Sequence, residues 1–327
     1  MYRRQTPFRP SFSERPTLER SLQSTPAADF EALHDRRPFV SFSPSAEGPQ
    51  GAISGRYLLG EPLGFGGTAT IYSAIDMASQ RQVAIKIASY GSEFANQSVM
   101  REAEALSSLD QPGIVRFIDS GTYHESPFIV MEYLRAMDLH AMIADNGPLP
   151  WRASVPTLIE LCDTIGCLHE ADMVHGDIKP ANVMLLPVPE GHLPSAKLVD
   201  FGMSRRPSAA LGIAGDPRPE YVYGTIEYIS PEQFSSTRAY YDPRVDVYSF
   251  GVLMYAMLTR KNPFLESGNC NVERMLMVLN RYPPHPSSLV RDVPEKAGDV
   301  VMRAIAKSPD ERYRSMGDLA EAIRSAL

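Results

Sequence analysis

The sequence predicts an α+β protein of two unequal lobes, a small β-rich lobe followed by a larger helical one. Two observations predict this. Short strand-like runs joined by turns crowd the region 57–133, and helix-period stretches dominate after Leu134. A third feature sets off the start of the chain. Before residue 54, Arg, Pro, Ser and Thr crowd together with isolated phenylalanines, and seven prolines break any long helix.

The elements follow in order. Residues 57–64, 70–74 and 82–88 read as strands, and 92–109 as a helix with Val99, Ala103 and Leu106 on one stripe. Strand character resumes at 114–120 and 128–133. Helices are expected at 138–145, 154–171, 246–259, 272–279 and 297–307, with a short strand at 196–199. The expected division is a disordered tail over 1–54 and one folded unit over 55–327, its small lobe ending at 134 and its large lobe filling 135–327. The tail cannot bury enough apolar surface to offset its ordering entropy. Within it Arg3-Arg4-Gln5-Thr6-Pro7-Phe8 and Arg36-Arg37-Pro38-Phe39 echo each other, each followed by Ser-Phe-Ser. They read as biased composition, with partner docking or phosphorylation as the alternatives.

The 327 residues carry 32 basic and 39 acidic side chains, a net charge of −7. The tail holds seven arginines against six acids. An acidic chain argues against broad nucleic-acid binding, which needs a cationic surface. Three cysteines, Cys162, Cys167 and Cys270, cannot build a disulfide framework and fit a reducing, cytoplasmic compartment. Seven scattered histidines offer no zinc-site spacing. The longest apolar-rich stretch, 245–258, is too short to span a bilayer, so no membrane association is expected.

Four short motifs carry chemistry. Leu63-Gly64-Phe65-Gly66-Gly67-Thr68-Ala69-Thr70-Ile71 places glycines in a strand–turn–strand, where backbone N–H groups can approach phosphates closely. A strand rather than a helix follows them, which excludes a Rossmann fingerprint, and no Gly-Lys-Ser/Thr follows, which excludes a Walker loop. Val83-Ala84-Ile85-Lys86 puts a lysine in an apolar strand, where it must pair or face a cleft. Glu102 and Glu104 compete to be its partner, since two residues apart on a helix they cannot both face one lysine. His175-Gly176-Asp177-Ile178-Lys179-Pro180-Ala181-Asn182 offers a carboxylate base, a cation and an amide ligand within one loop. Asp200-Phe201-Gly202 then sets a second carboxylate at a strand end.

Taken together and in this order, with Ser230-Pro231-Glu232 and Asp246 at the start of an apolar helix, these motifs resemble the eukaryotic-like (Hanks-type) serine/threonine protein kinase family. The resemblance covers about four fifths of the chain, from Arg56 to Leu327, and implies a bilobal protein kinase fold. It implies that Gly64, Gly66 and Gly67 cover the phosphates of ATP and that Lys86, paired with Glu102, holds them. Glu102 is preferred because the family places an apolar residue four positions later, here Leu106. Met131 would be the gatekeeper, Glu132 to Leu134 the adenine-binding hinge, and Ile71, Ala84 and Met184 the residues enclosing the ring. Asp177 would accept the proton of the substrate hydroxyl and Lys179 would neutralise the γ-phosphate. Asn182 and Asp200 would hold Mg²⁺. Thr225 would contact Lys179 and Asp177, Glu232 would pair with Arg312, and Asp246 would buttress the catalytic loop. The implied substrates are ATP and protein Ser or Thr hydroxyls, and the tail is a candidate for partner docking.

Departures from the family pattern matter. Ala69 replaces the third loop glycine. Gly176 stands where the family usually has an arginine that meets a phosphate on the activation loop. Activity independent of phosphorylation at Ser204, Ser208 or Thr225 is therefore expected. The segment from Asp200 to Glu232, with Arg205, Arg206, Pro207, Pro217, Pro219, Tyr221 and Tyr223, is long, as is the loop 186–195. Two other readings compete. A small-molecule phosphotransferase of the aminoglycoside or choline kinase kind shares His-Gly-Asp but usually lacks Lys179 and Ser-Pro-Glu. A catalytically dead scaffold would have lost one of Lys86, Asp177, Asn182 or Asp200. Delivery into another cell by the Ser/Pro-rich leader is the alternative to a cytoplasmic site of action.

Overall fold

The computed structural model describes residues 52–187, 195–212, 224–266 and 270–327. Most of the tail, much of the loop after Leu186, and Pro217, Pro219, Tyr221 and Tyr223 lie outside the described residues.

The first lobe is an antiparallel sheet of five strands: β1 (Tyr57–Phe65), β2 (Ala69–Asp76), β3 (Arg81–Ala88), β4 (Phe117–Tyr123) and β5 (Ser126–Glu132), in the order β1-β2-β3-β5-β4. Period-two alternation divides β3 between two cores. Val83 and Ile85 pack with Ile53, Tyr57, Phe128 and Val130 on one face. Ala84, Lys86 and Ala88 take the other face, with Ile129 and Met131 of β5 on that side. Helix α1 (Glu93–Ser107) crosses this second face. Ser92 starts it by accepting a hydrogen bond from Ala95 N–H at 3.2 Å. Its buried stripe is Ala95, Ser98, Val99, Glu102, Ala105 and Leu106, a spacing of three and four that turns Glu102 inward. Glu104 falls on the exposed side.

The strand expected from residue 114 begins only at Phe117. Ile114 instead bridges in parallel to Leu198 of the second lobe, with Val115 N–H donating to Leu198 O at 3.0 Å and Leu198 N–H to Gly113 O at 2.8 Å. This stretch is therefore an interlobe seam.

The second lobe opens with β6 (Met137–Asp138), α2 (Leu139–Asn146) and α3 (Trp151–Glu170). The expectation for α3 began at Ser154. The helix starts three residues earlier because buried Trp151 anchors its first turn, its Nε1 donating to Ala326 O at 3.1 Å. Strands β7 (Val183–Leu185) and β8 (Ala196–Leu198) complete a small three-stranded sheet with β6. Helix α4 (Arg244–Thr259) is buried from Val245 to Thr259, apolar on nearly all sides as a central helix must be. Around it lie α5 (Asn271–Asn280), α6 (Pro286–Leu289), α7 (Glu295–Ala304) and α8 (Met316–Ser325), the last an element that the sequence pattern did not supply. Among the described residues no helix is long and apolar enough to cross a membrane.

Gly251 sets how closely α4 and α7 approach. A Cβ there would lie 2.7 Å from the Ala304 Cβ and 2.8 Å from the Ile305 Cγ2. Gly251→Ala should overpack this contact and destabilise the lobe by about 1–3 kcal/mol, read as a lowered denaturant midpoint with an unchanged slope.

Candidate active site

The loop after α3 is shaped by a carboxylate that never touches solvent. Asp246, in the first turn of α4, is 0% exposed. Its Oδ2 accepts from His175 N–H at 2.9 Å and meets His169 Nε2 at 2.9 Å, while its Oδ1 accepts from Gly176 N–H at 2.9 Å. Burial works against the charge, yet the bond and charge of His169 with the Gly176 N–H hold the pKa below the usual carboxylate range. The same loop runs beside the start of the activation segment. Val174 and Arg205 exchange backbone hydrogen bonds at 2.8 and 2.9 Å, and the His175 ring lies 4.7 Å from Phe201. Burial pushes the His175 imidazole below its ordinary pKa.

Within this frame the polar side chains converge. Lys179 Nζ donates to Asp177 Oδ2 at 2.6 Å and to Thr225 Oγ1 at 3.0 Å. Asn182 Nδ2 donates to Asp177 O at 2.8 Å and to Oδ2 at 3.0 Å. Two donors thus share Oδ2, and Oδ1 faces Gly224, where a Cβ would sit 3.5 Å away. That leaves one carboxylate oxygen open toward the segment of Gly224 and Thr225.

Across the cleft, Lys86 Nζ lies 2.5 Å from Glu102 Oε2 and 2.8 Å from Asp200 Oδ1. Burial alone would lower the Lys86 pKa. The charges of Glu102 and Asp200 outweigh it and raise the pKa, so the side chain stays an ammonium. Gly202 brings α1 against the same strand end. A Cβ there would lie 2.4 Å from Ser98 Oγ, and Arg101 Nε donates to Gly202 O at 3.3 Å. Ile71 pairs with Lys86, Gly64 pairs with Ile71, and Ala84 pairs with Met131, so register alone lines these residues along one wall. The Gly66 and Gly67 turn is closed by Gly66 N–H donating to Ala69 O at 2.8 Å. Met184 is half-buried between buried Val183 and Leu185 and takes the opposite face of β7 from them. Glu132 directs its carboxylate away to Lys197 Nζ at 2.5 Å and Arg116 N–H at 2.8 Å; Leu134 packs at the edge of the core.

Asp200 keeps a side chain 41% exposed, with Lys86 on Oδ1 alone among the described residues. Asn182 uses its amide nitrogen as donor to Asp177, which leaves the lone pairs of the amide oxygen to face a cation. These two oxygens would suit a hard divalent cation such as Mg²⁺, which prefers oxygen ligands. Among the described residues no group of three His, Cys, Asp or Glu forms an all-protein metal cage.

The acceptor side is tied to the large lobe by ion pairs. Glu232 and Arg312 form a two-point pair at 2.7 and 2.7 Å, with the Arg312 side chain 0% exposed. Glu227, buried, meets Arg274 of α5 at 2.8 Å. His169 escaped the sequence reading. Nothing in its local pattern points to a partner 77 residues away.

The protein kinase domain profile matches residues 57–323. The chain belongs to the Hanks-type protein kinase family. It is 32% identical to the serine/threonine-protein kinase PrkC of Bacillus subtilis, over 84% of this chain and 41% of that protein. It is 33% identical to the serine/threonine-protein kinase PknB of Mycolicibacterium smegmatis, over 83% of this chain and 43% of that protein. It is also 33% identical to PknL of Mycobacterium tuberculosis, over 84% of this chain and 67% of that protein. The chain therefore spans about two fifths of the length of PrkC and PknB.

Gly176, with Ala69 one of the two substitutions set against the family pattern, has a demanding geometry. It sits at φ +76°, and a Cβ would lie 3.0 Å from the Met203 carbonyl oxygen. Gly176→Ala should cost about 1–2 kcal/mol from the left-handed backbone alone, measured by chemical denaturation, and should lower kcat more than KM for ATP because it displaces Asp177 and not the glycine loop.

Proposed function

We propose that this kinase domain transfers the γ-phosphoryl group of ATP to Ser or Thr hydroxyls of proteins. The observation that carries the reading is the shared Asp177 Oδ2: Lys179 and Asn182 both donate to it, and Oδ1 is left facing the Gly224–Thr225 segment. The acceptor hydroxyl would donate to Oδ1 and pass its proton there as its oxygen bonds to the γ-phosphorus. The bond from that phosphorus to the bridging oxygen of ADP breaks in the same displacement. Lys179 would neutralise the transferring group, and Lys86, held by Glu102, would fix the α- and β-phosphates under Gly64, Gly66 and Gly67. A divalent cation held by Asn182 and Asp200 would supply charge neutralisation at the phosphates. Met131, Glu132, Leu134, Ile71, Ala84 and Met184 would form the adenine pocket. The work of the site is positioning and electrostatics.

We also infer that activity does not wait for activation-loop phosphorylation. Gly176 provides no guanidinium to receive a phosphate. The stem of the segment is held without one, by the Val174–Arg205 backbone pair and by Ser208, whose N–H and Oγ both donate to Asp172. The residues before Ile53 are read as a tail ahead of the catalytic unit and a candidate for docking partners; the expected boundary at 54/55 moves back, because Ile53 is buried in the small lobe's core against Tyr57.

Two experiments test this. With ATP, Mg²⁺ and a mixed protein substrate, phosphoserine or phosphothreonine should appear with the intact chain, and Asp177→Asn should cut the rate by about a thousandfold. ATP binding without any protein phosphate would defeat the protein kinase reading. Separately, phosphatase-treated protein, mapped free of phosphate at Ser204, Ser208 and Thr225, should keep its initial rate. Loss of that rate would overturn phosphorylation independence.

A further inference from the structure

Helix α5 is the least enclosed long helix of the large lobe. Val278 is its one buried residue, while Val272 and Leu276 are exposed, as are Leu265, Tyr282 and Leu289 on the segments flanking it. Between α5, the end of α4 and the start of α6 lies a cleft of about 570 Å³. Its cations are Arg260, Lys261, Arg274 and Arg281, and its one carboxylate among the described residues, Glu266, is already paired with Arg281. A local excess of positive charge on a chain of net charge −7 is a departure that needs a reason. The cleft also communicates with the acceptor side, since Arg274 reaches from α5 to buried Glu227, two residues after Thr225.

We propose that this cleft docks an acidic, leucine-bearing segment of the protein substrate, remote from the residue that is phosphorylated. The proposal rests on the protein kinase reading and adds to it a determinant of substrate choice. Carboxylates of the segment meet Arg260 and Lys261 at the exposed end of α4, and its aliphatic side chains cover Leu265 and Leu289 in the cleft and reach exposed Leu276 on α5 outside its lining. Taken whole, the chain's own leader, with seven arginines against six acids, has no net attraction to a basic cleft; its one acidic stretch, Asp29 to Asp35, makes displacement of the Glu/Leu peptide by a peptide of that sequence a result that would overturn the proposal. Charge also disfavours a second copy placed cleft to cleft, which would set like charges opposite one another.

The test uses the full chain and two short labelled peptides, one alternating Glu with Leu and the other Lys with Leu. Fluorescence anisotropy should show the Glu/Leu peptide binding and the Lys/Leu peptide not binding. Arg260→Glu with Lys261→Glu should weaken the Glu/Leu peptide at least about tenfold, and Leu276→Glu, on the exposed face of α5, should weaken it as well. Joined by a flexible linker to a bare Ser-containing acceptor, the Glu/Leu segment should lower KM about tenfold with kcat unchanged. The double variant should lose that gain while phosphorylating the bare acceptor as the parent chain does. Equal binding of both peptides, or no loss in the double variant, would overturn the proposal. So would a dimer that Leu276→Glu splits, since the face would then belong to a second copy. If no phosphate reaches even the bare acceptor, the kinase reading fails, while anisotropy still decides the docking.

Discussion

A single carboxylate without solvent organises the catalytic half of the molecule. Burying Asp246 in the first turn of an apolar helix would be prohibitive for an unpartnered charge. The cost is offset only if its oxygens are filled, and the partners within reach are two successive backbone N–H groups and the His169 imidazole. Because those N–H groups belong to His175 and Gly176, the backbone immediately before Asp177 is dictated by the helix that carries Asp246. The left-handed turn at Gly176 belongs to the same solution, since two neighbouring N–H groups must converge on one carboxylate. Residue Asp177 is therefore aimed by a part of the chain that never meets substrate.

The opposite wall depends on a different economy of charge. Lys86 is an ammonium on a buried strand face, and it survives there because Glu102 and Asp200 flank it from two elements. Asp200 belongs to the segment packed on α1 through Gly202 and Ser98, so the lysine, the helix and the strand end are mutually dependent. Displacing α1 would leave Lys86 with one partner and open the Gly202 contact. The Ile114–Leu198 bridge adds a backbone link between the lobes a short distance from Asp200. The two lobes are thus joined by charge on one side of the cleft and by backbone hydrogen bonds beneath it.

Much of this was legible in the sequence, and what was not has physical reasons. The strands of the small lobe and the buried helix α4 show themselves by period and by apolar length. Helix geometry in the sequence left Glu102 and Glu104 as alternatives and the family resemblance chose Glu102; in the fold Glu102 lies on the buried stripe with Ala95, Val99 and Leu106, and Glu104 is exposed. The residues at 114 and 115 misled because their apolar character is real but is spent on the other lobe, and a strand pattern cannot name its partner. His169 was invisible for a similar reason: its role is set by a contact across 77 residues, which leaves no local trace. Gly176 was legible as an absence of arginine but not as a left-handed residue against the Met203 carbonyl, since a glycine letter does not disclose its φ. Helix α8 lacks the long apolar run that drew attention to α4, and is held by Trp151 and by its contacts with α3.

The glycine at 176 connects these strands of argument. An arginine at this place in the family meets the activation-loop phosphate and so makes the geometry of that loop conditional on modification. Here the stem of the loop is fastened by groups that are always present: a backbone pair between Val174 and Arg205, the Phe201 ring against His175, and the Asp172 carboxylate on Ser208. The acceptor segment is fastened in the same unconditional way, by Thr225 on Lys179, Glu227 on Arg274 and Glu232 on Arg312. Both described ends of the segment are thus anchored to the large lobe by groups that need no phosphate, which is the ground for the proposed independence from phosphorylation. On that proposal, control would fall to what brings substrates to the domain, and the basic cleft beside α5 is connected to the segment after Thr225 by the Arg274–Glu227 pair.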